Sequence, residues 1–401
     1  MSHARIVLQA VGSQDAFLTK NSKHTHFKKT HRNHTQFGLD WSIINANDKN
    51  INDYASPNSS HYFRLENNGD LINEIYLRIK IKIDEGWSKT NFGNYVTIFN
   101  IIDNIEFLYN DKILTKLTSD FMFSYFEINY NETEKRNLVD MFSYDKLSTH
   151  SDEEYIHLTI PLPLWFHKSP GLAFPMWALN NPNVGVNVNL KNFFKTTNVI
   201  NDIELLVNFT QISSIEKQQF ANKPLEYLIE SVEQLDNSIL TDQKQSKKIM
   251  VTKSHYIRYF MWNIQNTLKV QNTFRNNFNF LDDLENASIS FNGNDLINNA
   301  PSSFYKSVSR YMHFKSACNM GLDNNNGEVD DNTLNPVYTY SFCREPTTKK
   351  LSGYFTSEKF NNVTFDLKIK ERLGISRALN IYMVKHNIMR ISNGYLDILV
   401  N

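Results

Sequence analysis

Leu71-Ile72-Asn73-Glu74-Ile75-Tyr76-Leu77-Arg78-Ile79-Lys80-Ile81-Lys82-Ile83 carries the fold class of this chain in its spacing. Ile75, Leu77, Ile79, Ile81 and Ile83 alternate with Tyr76, Arg78, Lys80 and Lys82. A period of two puts one face of an extended strand on an apolar core and the other toward polar surroundings. Similar runs occur at 105–109, 155–162, 184–190 and 203–212, and again at 256–264, 287–291, 337–342, 363–369 and 379–385. Asn, Asp, Gly and Ser clusters bound them, as turns between short strands require. Helical periodicity is confined to 119–128, 132–141 and 302–311. Many short strands with few helices predict antiparallel sandwiches rather than a parallel α/β sheet.

The strands come in two sets. Asp103-Asn104-Ile105-Glu106-Phe107-Leu108-Tyr109-Asn110-Asp111 resembles Glu285-Asn286-Ala287-Ser288-Ile289-Ser290-Phe291-Asn292-Gly293, and a helical stretch follows each. Further on, 183–190 lines up with 361–369. The order strand, helix, strand, loop, strand, strand therefore occurs twice, which points to duplicated units. A length of 401 residues suits two domains. The polar stretch 216–224 is the natural join, giving residues 1–218 and 219–401.

Composition narrows the function. Hydrophobic residues at 41% and aromatics at 13% fill ordinary cores, while 42 basic and 42 acidic residues cancel. Neutrality removes the overall positive field of a nucleic-acid coat and suits a subunit packed against copies of itself. Cys318 and Cys343 fit no metal-ligand spacing and no disulfide framework, and read as free thiols in a reducing compartment. No signal peptide or membrane-spanning run is visible, so cytosolic synthesis is expected.

Signatures of catalysis are missing: no Gly-x-Ser-x-Gly elbow, phosphate loop, His-Glu-x-x-His or dinucleotide fingerprint is present. His24, His26, His31 and His34 invite a zinc reading, but no carboxylate or cysteine completes a ligand spacing. Lys28, Lys29 and Arg32 would also repel a cation, which favours a polar strand face with surface or interface histidines. Sequons at Asn33, Asn58, Asn131, Asn208, Asn286 and Asn362 arise readily by chance in so Asn-rich a chain. The acidic segment 323–331 lacks EF-hand spacing and reads as an exposed loop. No cofactor, metal or catalytic residue is expected.

Two motifs carry a family resemblance. Gly12-Ser13-Gln14-Asp15-Ala16-Phe17-Leu18-Thr19-Lys20-Asn21, followed by Phe27-Lys28-Lys29-Thr30-His31-Arg32-Asn33-His34-Thr35-Gln36-Phe37, resembles the opening of the major capsid proteins of nucleocytoplasmic large DNA viruses. Phe17, Lys20, His31 and Asn33 depart from that family's usual Tyr, Gly, Tyr and Arg. Pro161-Leu162-Pro163-Leu164-Trp165-Phe166, then Pro170-Gly171-Leu172-Ala173-Phe174-Pro175, is similar to a second family stretch. In it the prolines end ladder pairing and the aromatics cover a sandwich end. A looser match is Ile257-Arg258-Tyr259-Phe260-Met261-Trp262.

The resemblance implies an all-β double jelly roll, two consecutive eight-stranded antiparallel sandwiches with short helices in loops. It implies a homotrimeric, pseudo-hexagonal capsomer in an icosahedral virion shell, assembled in the host cytoplasm. Minor capsid proteins and an internal viral membrane would be its partners, with no direct nucleic-acid contact. Lys28, Lys29 and Arg32 become candidates for the inner-face contact. The long connections 110–155 and 292–336 become candidates for outer towers and intersubunit contacts. Alternatives from other classes are a minor capsid or scaffolding paralogue, a carbohydrate-binding attachment protein, and a cupin-type enzyme using the histidines.

Overall fold

A computed structural model describes residues 3–10, 12–14, 17, 19–23, 25–29, 31, 33–47, 59–65, 68–82, 97–142, 155–180, 182–191, 200–221, 224–251, 255–266, 280–315, 336–358 and 363–399. Residues 1–36 form one compact unit and 37–401 another. The first contains a short helix, His3–Gln9, and irregular chain.

The larger unit begins with β1 (Phe37–Asn45), β2 (Ser60–Arg64), β3 (Leu71–Lys82), β4 (Ile102–Tyr109), β5 (Lys112–Thr118), β6 (Tyr155–Pro161), β7 (Phe174–Pro175), β8 (Val184–Leu190) and β9 (Ile200–Ile212). They form two antiparallel sheets, ordered β1-β9-β3-β6 and β2-β8-β4-β5. After a helix, Ser214–Ala221, the chain starts again with β10 (Leu225–Leu240), β11 (Gln245–Val251), β12 (Tyr256–Asn266), β13 (Leu284–Phe291), β14 (Asn294–Pro301), β15 (Tyr338–Ser341), β16 (Phe355–Thr356), β17 (Val363–Ile369), β18 (Arg377–Ser392) and β19 (Tyr395–Ile398). Their sheets are ordered β10-β18-β12-β15 and β11-β17-β13-β14.

The two orders correspond strand for strand, so the chain is two eight-stranded jelly rolls in tandem. Even the two-residue strands agree. β7 pairs the start of β3 at Leu71 and Ile72, and β16 pairs the start of β12 at Tyr256 and Ile257. The turn chemistry repeats as well. Asn110 and Asp111 join β4 to β5 at φ of 47° and 63°, and Asn292 and Gly293 join β13 to β14 at 47° and 80°. Positive φ at both central residues is the hairpin turn whose twist matches that of the strands.

The alternation in β3 does what its spacing predicts. Ile75, Leu77, Ile79 and Ile81 are fully buried, while Arg78 on the outer face donates to Glu204 at 2.7 Å. Ile83 lies outside the described residues. In the second roll, Ile257, Phe260, Trp262 and Ile264 of β12 face Val363, Phe365 and Leu367 of β17 across an equivalent core.

One end of that core is closed by charge. Asp283, buried, accepts from Arg377 at 2.9 Å and from Arg372 Nε at 2.8 Å. Arg377, itself buried, also donates to the Lys370 and Thr241 carbonyls at 2.9 and 2.6 Å. Removing one partner of such a pair strands a desolvated charge. Asp283→Ala should therefore cost about 3–5 kcal/mol of unfolding free energy, read as a lowered midpoint in guanidinium denaturation with no change in the far-ultraviolet spectrum of the native state.

Candidate functional site: the roll-to-roll seam and the open faces

For a chain of sandwiches, the surfaces that hold rolls together are the candidate site. Its centre is the helix Ser119–Asn129, which follows β5. Thr118 caps it, accepting from the Phe121 amide at 3.3 Å. Phe121, Met122, Phe123, Phe126 and Ile128 are buried, and so are Ser124, Glu127 and Asn129. Burial around a whole helix means that it is enclosed, not laid on a surface.

The enclosing partner is the outer face of the second roll's β10-β18-β12 sheet. Tyr259, Met261, Tyr382 and Val384 point out of their own roll and join the first roll's apolar cluster. Tyr382 packs edge-on to Phe121 with centroids 5.4 Å apart, and its hydroxyl lies 2.9 Å from Thr118 Oγ1. Asn263 donates to Ser124 Oγ at 3.0 Å and accepts from Asn380 at 3.1 Å, all three buried. Arg310, from the helix Ser309–His313 of the second roll, donates to the Glu127 carbonyl at 3.2 Å. Glu127 itself pairs with Lys135 at 2.9 Å, both buried.

Two further clasps flank this helix. The β18–β19 hairpin turns at Asn393 and Gly394, where the Gly394 and Asn393 carbonyls accept from the backbone and side chain of Asn180 at 3.0 and 3.2 Å. A Cβ on Gly394 would strike the Asn180 side chain, and its φ of +82° also favours glycine. On the other side, Glu230 pairs with both Arg258 and Lys349. Arg258 also donates to the Thr348 and Pro346 carbonyls at 2.8 and 3.1 Å, and Lys349 lies 5.9 Å from the Tyr125 ring centroid.

The first roll leaves an apolar row open at its edge. On edge strand β1, Leu39, Trp41 and Ile43 share one side and are 63%, 56% and 58% exposed. β10 holds the same place in the second roll, and there Leu225, Tyr227 and Ile229 pack into the seam. The opposite flank repeats this contrast. Val308 and Tyr311 follow β14 at the same distances as Tyr125 and Ile128 follow β5. With Met312 and Leu296 they are exposed, whereas Ile128 is buried and Tyr125 half-buried.

The second motif builds the first roll's core. Pro161 ends β6, Pro163 is buried after it, and Trp165, Phe166, Phe107 and Phe174 pack edge-on at 5.2–5.6 Å. Pro170 and Gly171 form an exposed turn beside β10, and Pro175 is buried in β7. In the amino-terminal unit, Gly12 and Gln14 flank a turn in which the Gln14 carbonyl accepts from the Phe17 amide at 3.1 Å. Phe27, Lys28 and Lys29 lie at and after another turn, and His34 Nδ1 is 2.8 Å from the Thr35 carbonyl. Asp15, His24 and Arg32 fall outside the described residues.

Two expectations change. The stretch around His26, Lys28, Lys29, His31 and His34 is irregular rather than a strand, and pairing begins at Phe37. It lacks the apolar alternation that would seat one face on a core. The connection 110–155 is not simply an outward tower: residues 112–142 supply β5, the enclosed helix and a second helix, Glu132–Phe142. Asn208 and Asn131 serve structure, Asn208 buried and accepting from Asn73 at 3.0 Å, Asn131 capping the second helix by bonds to and from Glu134. Cys318 and 323–331 lie outside the described residues. Among the described residues, no three His, Cys, Asp or Glu side chains gather as metal ligands would.

The comparisons with known proteins agree with this architecture. Residues 25–237 match the family described as major capsid protein N-terminus, and 216–396 match the large eukaryotic DNA virus major capsid protein family. The chain belongs to that family. The major capsid proteins of Pyramimonas orientalis virus and Paramecium bursaria Chlorella virus 1 are each 22% identical, aligned over 96% of this chain and at least 96% of their own. A quasi-atomic structure of the PBCV-1 virus capsid superposes with a TM-score of 0.75 at 20% identity, over 94% of this chain and all of the other. The Faustovirus major capsid protein gives 0.70 at 10% identity, over 97% and 96%. The protein is thus a structural component of a virus capsid, not an enzyme.

Sequence pattern alone does not single out the polar residues of the seam, although Asn263 interrupts an apolar run that contains Trp262 and Ile264. Asn263→Ala leaves Ser124 and Asn380 short of a partner in a buried interface. About 2 kcal/mol of stability should be lost, and amide exchange in the helix Ser119–Asn129 should accelerate more than in β17.

Proposed function

We propose that this major capsid protein forms a homotrimeric, pseudo-hexagonal capsomer of an icosahedral shell, each copy contributing residues 1–218 and 219–401 as its two rolls. One observation carries the reading: the same kind of roll-to-roll contact is made once inside the chain and left unmade at both ends. The second roll covers the first through β10 and the helix Ser119–Asn129. The apolar row of Leu39, Trp41 and Ile43 and the flank of Leu296, Val308, Tyr311 and Met312 remain exposed. A head-to-tail contact that repeats the internal one joins the row of one copy to the flank of the next. Such heterologous contacts close into rings when the rotation allows, and three copies give six rolls.

Trp41→Glu and Met312→Asp should each leave the monomer's melting temperature nearly unchanged while turning trimer into monomer in native mass spectrometry. A wild-type chain that stays strictly monomeric at high concentration overturns the reading.

The amino-terminal unit supplies the inward contact. Residues 1–36 hold four Lys and two Arg against one Asp, a local excess of positive charge in a chain with no net charge. Lys28, Lys29 and Arg32 suit anionic lipid headgroups of an internal viral membrane or acidic minor capsid proteins, during assembly in the host cytoplasm. With Lys28→Glu and Lys29→Glu combined, co-sedimentation with phosphatidylserine vesicles should fall several-fold and fewer closed particles should form; unchanged binding and unchanged particle yield refute the assignment.

A further inference from the structure

The seam holds two imidazoles in surroundings that oppose their protonation. His167 follows the Trp165-Phe166 motif and is buried, and among the described residues neither ring nitrogen meets a hydrogen-bond partner. The Tyr76 ring stands edge-on to it at 6.1 Å, and the cations whose fields reach it are Lys168 and, from the second roll, Lys349. His386 lies on the seam side of β18, also buried and, among the described residues, without a hydrogen-bond partner on either nitrogen. Its neighbours are the Tyr354 ring at 6.5 Å, the Arg258 guanidinium, and its register partners Glu230 and Tyr256.

The carboxylates nearby are already engaged. Glu230 answers Arg258 and Lys349, Glu74 accepts from the Tyr76 hydroxyl at 2.7 Å, and Glu134 pairs with Lys168 at 3.7 Å. Lys168 also lies over the Tyr130 ring at 4.7 Å. A proton on either histidine therefore adds a charge to a cation-rich joint whose nearby carboxylates, among the described residues, are already paired.

We propose that the joint between the two rolls is an acid-sensitive latch, closed while His167 and His386 are neutral and loosened when they take up protons. Burial first, then Lys168 and Lys349, pushes His167 down to about 3; burial first, then Arg258, pushes His386 down to about 4. Both lie below the ordinary value near 6.5. The closed state thus binds fewer protons than an opened one below pH 6.5 or so. Stability from this source is complete above that pH, falls as pH drops below it, and levels off once the depressed values are passed.

The test uses the full chain as a monomer or trimer, so its outcome is independent of the capsomer reading. Amide exchange in the helix Ser119–Asn129 and in β10 is measured at pH 7.5 and pH 4.5, with the second-roll core strand β17 as internal reference. Wild type should show the seam opening at least about tenfold more readily at pH 4.5 relative to that reference. The double variant His167→Phe, His386→Phe keeps the ring packing and should reduce that change to within about threefold. An equal acid response in wild type and variant overturns the latch, as does no response in wild type. Should the variant fail to fold, imidazole-labelled wild type decides by nuclear magnetic resonance. Two rings that stay neutral at pH 4.5 uphold the proposal, and titration of every imidazole near pH 6.5 overturns it.

Discussion

The helix Ser119–Asn129 has no solvent side. A sandwich built from β1 to β9 could leave such a helix as a cap on its flank, as the helix Ser309–His313 does in the second roll. Here a neighbouring sheet comes down on it, so Phe121 meets Tyr382 and Ser124 meets Asn263. Everything else about the two-roll body follows from accommodating that enclosed helix. β12 and β18 must be buried on both faces, Glu127 must be neutralised by Lys135, and the β18–β19 hairpin must turn back tightly enough for Gly394 to meet Asn180. Because the apolar cluster of the first roll runs on through Tyr259, Met261 and Val384, opening the seam exposes core and not a polar interface.

Duplication gives both rolls the same strand order, but their outer faces differ in what they meet. The difference is written in the third strand of each roll. β3 alternates strictly, with Tyr76, Arg78 and Lys80 on its outer side, whereas β12 runs Ile257, Arg258, Tyr259, Phe260, Met261 and Trp262 with scarcely a break. A strand with one face on a core alternates, and a strand enclosed on both sides does not. The β10 face is satisfied within the chain. The β1 face keeps Leu39, Trp41 and Ile43 on an edge strand, the kind of surface that a monomer ordinarily blunts. Retaining it makes sense when the sheet's partner is another molecule.

Much of this fold is legible in the amino-acid pattern. β8 and β17 begin and end where their alternation does, and the matched turns after Tyr109 and Phe291 reveal the repeat. The strands that alternation does not reveal are polar or edge strands. β11 reads Gln-Ser-Lys-Lys-Ile-Met-Val, and β14 reads Asn-Asp-Leu-Ile-Asn-Asn-Ala-Pro. Their pairing is dictated by neighbours in the sheet, a non-local cause that local pattern does not contain. β10 is hidden for a related reason. Its apolar row Leu225, Tyr227 and Ile229 is packed against the other roll, its acidic residues answer Arg258, Lys349 and Lys385, and none of these partners is close in sequence. The motif residues from Pro161 to Pro175 mark family and core position, but not that the turn at Pro170 abuts β10.

Charge inside the seam has a logic distinct from stability. A pair such as Glu230 with Arg258 gains little over well-packed apolar side chains once desolvation is counted. What it fixes is geometry. Arg258 Nη2 donates to both the Thr348 and Pro346 carbonyls, so the loop that carries Lys349 is held against Tyr125 of the other roll in a single register. Apolar packing alone would allow the two rolls to slide along their shared face, since Phe, Tyr and Met contacts tolerate displacement. For a subunit that assembles into a capsid lattice, an error in the angle between its own rolls would be repeated at every copy. Directional bonds at the joint, from Asn263, Arg310 and Arg258, are therefore where precision of assembly is set, while the apolar cluster supplies most of the cohesion.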